Sequence, residues 1–222
     1  MQQVQISPKE IIARRVAKEI KDGYIVNLGA GIPGMVAKYL PEGINILFHS
    51  ENGLIGTTSE IPFEERDPFL LNASSQYVQL MKGASIFDSA LSFGIMRGGH
   101  LDVTVLGAMQ VDEKGNLANW CVKGGPVIGM GGAMDLVAGT KKVIIATEHC
   151  DKSGESKIRK ACDYPLTGVK VATLIVTELA VLEVAEQGLV LKEINENTSI
   201  EEVLSKTDAD LIVPETVNRM EI

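Results

Sequence analysis

Glu51 stands in the tetrapeptide Ser50-Glu51-Asn52-Gly53, directly after the apolar run Ile44-Asn45-Ile46-Leu47-Phe48. An Asn-Gly pair reverses a chain within two residues because both types tolerate positive φ. The spacing predicts an acid at the tip of a buried strand, aimed into the crevice beyond, where α/β proteins hold working groups. Such an acid can grip a ribose, attack a substrate or simply finish a turn. Glycine is the other unusual feature, with 22 residues, many of them in three clusters. These are Gly29-Ala30-Gly31-Ile32-Pro33-Gly34, then Arg97-Gly98-Gly99-His100, then Gly124-Gly125-Pro126 with Gly129-Met130-Gly131-Gly132-Ala133. Without Cβ cover, backbone N–H groups approach phosphates, carboxylates and oxyanions, although the same residues also make plain turns.

The first cluster satisfies GxGxxG, and Glu51 follows about twenty residues on, the spacing of a dinucleotide-binding fingerprint with a ribose acceptor. Against that reading, the helix it would open runs only from Met35 to Leu40 before Pro41, and Pro33 removes an amide from the phosphate-facing region. His49, His100 and His149 have no ligand spacing, so no metal site is expected. Cys121, Cys150 and Cys162 are odd in number without CxxC, which argues against a disulfide framework and for a reducing cytoplasm. Arg97 can pair with a carboxylate or a phosphate, and His100 with Asp102 reads as the turn that follows it.

These residues need a frame. Strands are predicted at Tyr24–Leu28, Ile44–His49, Val103–Met109, Val143–Thr147 and Thr173–Thr177, with a final pair at Val181–Ala185 and Leu189–Glu193. Most are apolar without strict alternation, the pattern of strands covered on both faces. Ser7-Pro8-Lys9-Glu10 opens a helix as a capping box, continued by Ile12, Val16 and Ile20 and ended by Gly23. Thr198-Ser199-Ile200-Glu201-Glu202 opens a second, running to about Lys206. The expectation is one α/β domain over residues 1–222, an open, mostly parallel sheet covered by helices. Twenty-one Lys and Arg against 29 Asp and Glu give a net charge of −8, without a basic cluster for nucleic acid or anionic membrane. No apolar run approaches a bilayer span, and the first residues lack the basic and apolar regions of a signal peptide.

Ordered blocks run nearly end to end. They include Val26-Asn27-Leu28-Gly29 with Gly31-Ile32-Pro33, Ser50-Glu51-Asn52-Gly53, and Arg97-Gly98-Gly99-His100 followed by Asp102. Leu106-Gly107-Ala108-Met109-Gln110-Val111, Leu117-Ala118-Asn119-Trp120, Gly129–Leu136 and Pro165-Leu166-Thr167-Gly168 complete the set. On these residues the chain resembles the β subunit of class I CoA-transferases, the group that includes acetoacetate/butyrate and succinyl-CoA:3-ketoacid CoA-transferases. The resemblance implies the NagB/RpiA-like fold of that family and displaces the dinucleotide reading.

It also implies that Glu51 is the nucleophile, passing CoA between acids by ping-pong chemistry through a glutamyl-CoA thioester. A carboxylate suits this work, being ionised at neutral pH without an adjacent base and alike in charge to the acids it exchanges. The family pattern puts backbone oxyanion donors at Gly132 and Ala133, and Asn27 beside the catalytic carboxylate, where the plainer role is a satisfied turn amide. Gly29, Gly31, Gly131 and Arg97, with Lys123, are the expected CoA donors. No cofactor beyond coenzyme A is implied, and the expected partner is the α subunit, in an α2β2 assembly. Ser75 stands where the succinyl-CoA branch has a lysine, which leans towards monocarboxylates such as acetate, butyrate or acetoacetate. Thr57–Asp67 looks divergent and reads as a loop near the site. The alternatives are a thioester hydrolase of the same fold and a non-catalytic CoA- or metabolite-sensing module.

Overall fold

Capping chemistry starts the first helix, α1 (Pro8–Ala17): Ser7 Oγ accepts the Glu10 amide at 3.2 Å, and Pro8 fits the first turn. The computed structural model describes residues 6–58, 61–122, 124, 125, 127 and 129–222. α1 stops earlier than Gly23, because the amides of Lys18, Glu19 and Ile20 bond three residues back and tighten the chain out of the α-helix. Gly23, at φ 79°, instead makes the turn into the sheet and donates its amide to Asn45 O at 2.8 Å. Its positive φ is the conformation that favours glycine.

The further elements, in chain order, are β1 (Ile25–Leu28), α2 (Ile32–Met35), β2 (Leu47–Ser50), β3 (Leu54–Thr57), β4 (Leu80–Ile86), α3 (Ser89–Arg97) and β5 (Val103–Leu106). Then come β6 (Gln110–Asp112), β7 (Leu117–Ala118), α4 (Ala133–Gly139), β8 (Lys142–Ala146), β9 (Ile158–Arg159) and β10 (Leu174–Val176). β11 (Ala180–Ala185), β12 (Gly188–Ile194), α5 (Ile200–Ser205), β13 (Leu211–Ile212) and β14 (Asn218–Arg219) complete the chain. The large sheet runs β13-β12-β11-β10-β8-β5-β1-β2-β3-β4, with β14 paired to β12. Its centre, β10-β8-β5-β1-β2, is parallel, and antiparallel strands flank it on both sides. The fold is therefore α/β with an open, mostly parallel sheet.

Parallel strands bury both faces, and the core divides accordingly. Val143 and Ile145 of β8 face the cluster that holds Met96 of α3 and Leu136 of α4, while Ile144 and Ala146 face Ile12 and Val16 of α1. Two strands are shorter than their apolar runs. β2 begins only at Leu47, because the Asn45 amide is taken by Asp22 Oδ1 at 2.6 Å before the chain joins the sheet. β5 ends at Leu106, where Gly107 and Ala108 carry the chain across to β6 in a second sheet, β7-β6-β9.

The strand order reverses at β1. The chain leaves it through α2 to β2 on one side, and β5 lies on its other side. The crevice beyond the carboxyl ends of such neighbours is where open α/β sheets bind ligands.

Candidate active site

The β2–β3 hairpin brings Glu51 to that crevice. The Gly53 amide donates to Ser50 O at 3.0 Å, closing a turn with Glu51 and Asn52 at its corners. Only glycine fits the last position. Gly53 has φ 107°, and a Cβ there would run into the Phe87 carbonyl. Asn52 does not adopt the positive φ that an Asn-Gly pair permits, since the turn needs it at Gly53 alone. Two further contacts hold the corner. Ser50 Oγ accepts the Ala73 amide at 2.8 Å, and Asn52 Nδ2 donates to Leu71 O at 2.8 Å. Asn72 Oδ1 in turn accepts the Ser74 and Gln76 amides at 2.9 and 3.0 Å, with Ser75 left-handed at φ 60°.

The Glu51 carboxylate rests on the backbone just ahead of α4. Gly132 N–H points at Glu51 Oε1, 3.3 Å away, and a Cβ on Gly132 would lie 2.6 Å from Oε2. Gly131, at φ 53°, presents its α-carbon face to the same carboxylate. The Ala133 amide is already bonded to Met130 O at 3.1 Å, so of this expected donor pair the structure turns only Gly132 towards Glu51.

Behind the turn runs a buried polar row. Thr104 Oγ1 of β5 donates to Asn27 Oδ1 of β1 at 3.4 Å, and Asn27 Nδ2 donates to the His49 carbonyl at 3.2 Å. His49 Nε2 lies 3.1 Å from Ser92 Oγ of α3. All four residues are buried. Asn27 thus fixes the backbone two residues before Glu51 from within a strand rather than a turn. Burial pushes the His49 imidazole down to about 4, leaving it neutral at physiological pH.

Asn27, Gly29, Glu51, Ser74 and Gly132 all line one cleft of about 220 Å³. None of the described residues lining it is Lys or Arg. The other expected CoA donors are more scattered. The Gly29 amide bonds Val105 O at 2.9 Å, and Gly31 turns the chain into α2 at φ 78°. Arg97 lies away from the cleft lining and pairs with Asp135 at 2.5 Å, tying α3 to α4. Lys123 and Pro126 lie outside the described residues, as does Glu60 of the divergent segment.

Sequence reasoning singled out the Ser50–Gly53 turn but missed Ser92 and the contacts of Ser50 and Asn52 with the 71–76 turn, which cross between elements that no local spacing connects. His149 is fully engaged, with Thr177 Oγ1 and Thr207 Oγ1 each at 3.0 Å; burial first, then Lys206, pushes it down to about 4. Among the described residues no group of three or more His, Cys, Asp or Glu is arranged to hold a metal ion, and no helix is long and apolar enough to cross a membrane.

Known proteins bear on this geometry. The beta chain of the acetate CoA-transferase of Haemophilus influenzae is 52% identical over 217 residues, covering 98% of this chain and 97% of that protein. A chain of the succinyl-CoA:3-ketoacid coenzyme A transferase of Helicobacter pylori is 47% identical over 206 residues, covering 92% and 99%. Among solved structures, an acyl-CoA transferase from Escherichia coli O157:H7 matches 100% of this chain with a TM-score of 0.77 at 24% identity. This chain spans only 44% of that polypeptide. Glutaconate coenzyme A-transferase from Acidaminococcus fermentans matches 97% of this chain and 89% of its own, with a TM-score of 0.68 at 22% identity. Both solved structures speak to fold alone. The family profile described as coenzyme A transferase matches residues 9–206, and with relatives this similar over nearly the full length, the chain belongs to the coenzyme A transferase family.

Proposed function

We propose that this chain is the β subunit of an acyl-CoA:carboxylate CoA-transferase that works through a covalent intermediate on Glu51. The observation that carries this reading is the seat of the Glu51 carboxylate, with the Gly132 amide 3.3 Å from Oε1 at the mouth of the sheet. The carboxylate attacks the acyl-CoA carbonyl and expels CoA thiolate, giving a mixed anhydride. The thiolate then attacks the glutamyl carbonyl, releasing the first acid and leaving a glutamyl-CoA thioester. An incoming carboxylate reverses the two steps, leaves as the new acyl-CoA and regenerates Glu51. When the glutamyl carbon turns tetrahedral, one of its carboxyl oxygens becomes the oxyanion, and the Gly132 amide already faces that position. Asn27, through the His49 carbonyl, keeps the turn from retreating.

Substrate size follows from the cleft. At about 220 Å³ it is smaller than the roughly 300–1,000 Å³ pockets that enclose whole ligands, so this chain holds the short acyl group and the body of CoA lies outside. With no cation among its described lining residues, it offers no partner for a second carboxylate, which favours acetate, butyrate or acetoacetate over succinate. The likeness to the acetate enzyme of Haemophilus influenzae supports the same choice. An α subunit completes the enzyme as α2β2, the chemistry needs no group beyond coenzyme A, and a reducing cytoplasm suits three free thiols.

The test is Glu51→Gln in the assembled complex. Exchange is lost while the subunits still associate, and mass spectrometry of the wild-type complex treated with acyl-CoA finds a CoA adduct on Glu51. Full exchange by the variant overturns the proposal, and rapid CoA release without an acceptor acid would make the protein a hydrolase.

A further inference from the structure

The hairpin that carries Glu51 also carries a hydroxyl with nothing to bond. Thr57, the last residue of β3, is 4% exposed, and its Oγ1 has no hydrogen-bond partner among the described residues. It is not sealed inside the protein, as the unpaired Thr140 Oγ1 is, because Thr57 lines the cleft. Ser50, Thr58 and Asn72 line it too, but their polar groups are spent within the chain. Thr58 Oγ1 accepts the Gln79 amide at 3.1 Å, Asn72 Nδ2 donates to Gln76 Oε1 at 3.1 Å, and Ser50 Oγ accepts the Ala73 amide. Native proteins leave few buried hydroxyls unpaired, so each one calls for a reason.

A bulge aims this one. Along the hairpin Ser50 stands opposite Leu54 and His49 opposite Ile55, but Phe48 stands opposite Thr57, so Gly56 is an extra residue. Gly56 has φ 80°, and β4 runs so close that a Cβ on it would lie 3.1 Å from Ala84 Cα. In a regular strand Thr57 would share the face of Ile55 and His49, where His49 meets Ser92 of α3. The bulge turns it over to the face of Phe48, which packs towards α1 and lines the cleft. Leu28, Ala37 and Leu106 line the same cleft, and among such apolar groups a polar contact counts for more than it does in water.

We infer that Thr57 is a specificity-determining residue, whose hydroxyl bonds an oxo or hydroxyl oxygen on the third carbon of a four-carbon acyl group. It thereby selects such acids over the plain alkanoate of the same length, an inference that rests on the functional reading above and narrows it. Position supports the third carbon. Thr57 stands opposite Phe48, three residues before Glu51, an offset of about 10 Å along the strand. An attack distance of about 3 Å and a hydrogen bond of about 3 Å leave about 4 Å, which a four-carbon chain spans and an acetyl group does not. Chemistry supports the oxygen. A threonine hydroxyl both donates and accepts, so it serves an oxo group or a hydroxyl. An acid without that oxygen leaves the hydroxyl unpaired, the arrangement by which sites reject analogues that lack a polar group.

The experiment measures exchange by the assembled complex with acetoacetate, 3-hydroxybutyrate and butyrate as acceptor acids. The parent prefers at least one of the oxygenated acids to butyrate in kcat/KM. Thr57→Val keeps the shape, removes the hydroxyl and lowers that preference about tenfold, the worth of one neutral hydrogen bond, whereas Thr57→Ser retains it. The Tm of Thr57→Val does not fall, since the hydroxyl holds nothing in the free protein. The inference alone is overturned by a parent that prefers butyrate, or by a Thr57→Val preference within threefold of the parent's. It is likewise overturned by equal loss for all three acids, by Thr57→Ser behaving as Thr57→Val, or by a lowered Tm. A complex that exchanges none of these acids, or an active Glu51→Gln complex, overturns the functional reading and the inference with it.

Discussion

Gly132→Ala isolates the seat of the Glu51 carboxylate, the nucleophile proposed above. At φ −83° and ψ 3° the backbone suits alanine, so the substitution brings no backbone strain. The three atoms nearest the new methyl all belong to Glu51, with Cβ 2.6 Å from Oε2 and 2.8 Å from the carboxyl carbon. Ordinary carbon–oxygen contact begins near 3.4 Å, so the carboxylate must retreat by about 0.8 Å and loosen its bond to the Gly132 amide. A misplacement near 1 Å costs about 10²-fold in rate, or roughly 2.7 kcal/mol of barrier. The change in stability is smaller. Replacing an N-cap glycine by alanine costs about 1 kcal/mol, which lowers Tm by about 2–4 °C in a domain of this size. Single-turnover formation of the CoA adduct in the assembled enzyme measures the first quantity and thermal unfolding the second. Gly131→Ala is the counter-example. Its Cβ would stand 3.5 Å from Oε1, an ordinary contact, but φ 53° costs alanine about 1–2 kcal/mol. It should lose more stability and much less rate. A Gly132→Ala enzyme within threefold of the parent, or the reverse ranking of the two variants, refutes the reasoning.

Gly53→Ala combines positive φ with a collision against the Phe87 carbonyl, a backbone group that cannot swing aside. It should cost about 3 kcal/mol, read as a Tm lowered by about 6–12 °C, and an unchanged Tm would count against the turn described. His49 and His149 should make stability pH-dependent. Their folded values of about 4 lie below the ordinary 6.5, so the unfolded chain binds more protons between those limits. Stability present above pH 6.5 is lost as the pH falls towards 4, by about 2 kcal/mol per histidine at pH 5. Urea unfolding at pH 7, 6 and 5 measures the slope, and His149→Gln should remove about half of the histidine contribution; an unaltered slope in that variant would refute the assignment.

Much of this frame was legible. β1, β5, β8 and β10 show as apolar runs because both their faces are covered, and α1 and α5 announce themselves by Ser7 and Ser199. β4 was not legible, since nearly all its residues face outward and its apolar content signals a surface rather than a core. α3 hides for another reason: its buried positions are Ser92 and Met96, and the serine is spent on His49 rather than on the core. Glu51 could be placed at its strand tip because the residues that shape the corner are its immediate neighbours. Its pairing with Gly132 came from family likeness, because no local pattern joins residues on separate crossovers. The role of Asn27 needed register as well, since only the pairing of Asn27 with His49 shows which carbonyl its amide reaches.

The Glu51–Gly132 bond joins positions 81 residues apart. Closing a loop of that length costs about 4 kcal/mol of chain entropy before any contact within it repays the loss. β1, β2, β5 and β8 must also pair across long separations, the kind of topology that folds slowly. Local helices such as α1 and α5 can form early, whereas Glu51 gains its backbone seat on Gly132 only once β1, β2, β5 and the chain up to α4 have come together. Refolding from denaturant should therefore regain helical signal well before competence to form the CoA adduct. During synthesis, the chain must emerge from the ribosome past residue 132 before the Glu51 carboxylate can reach its seat.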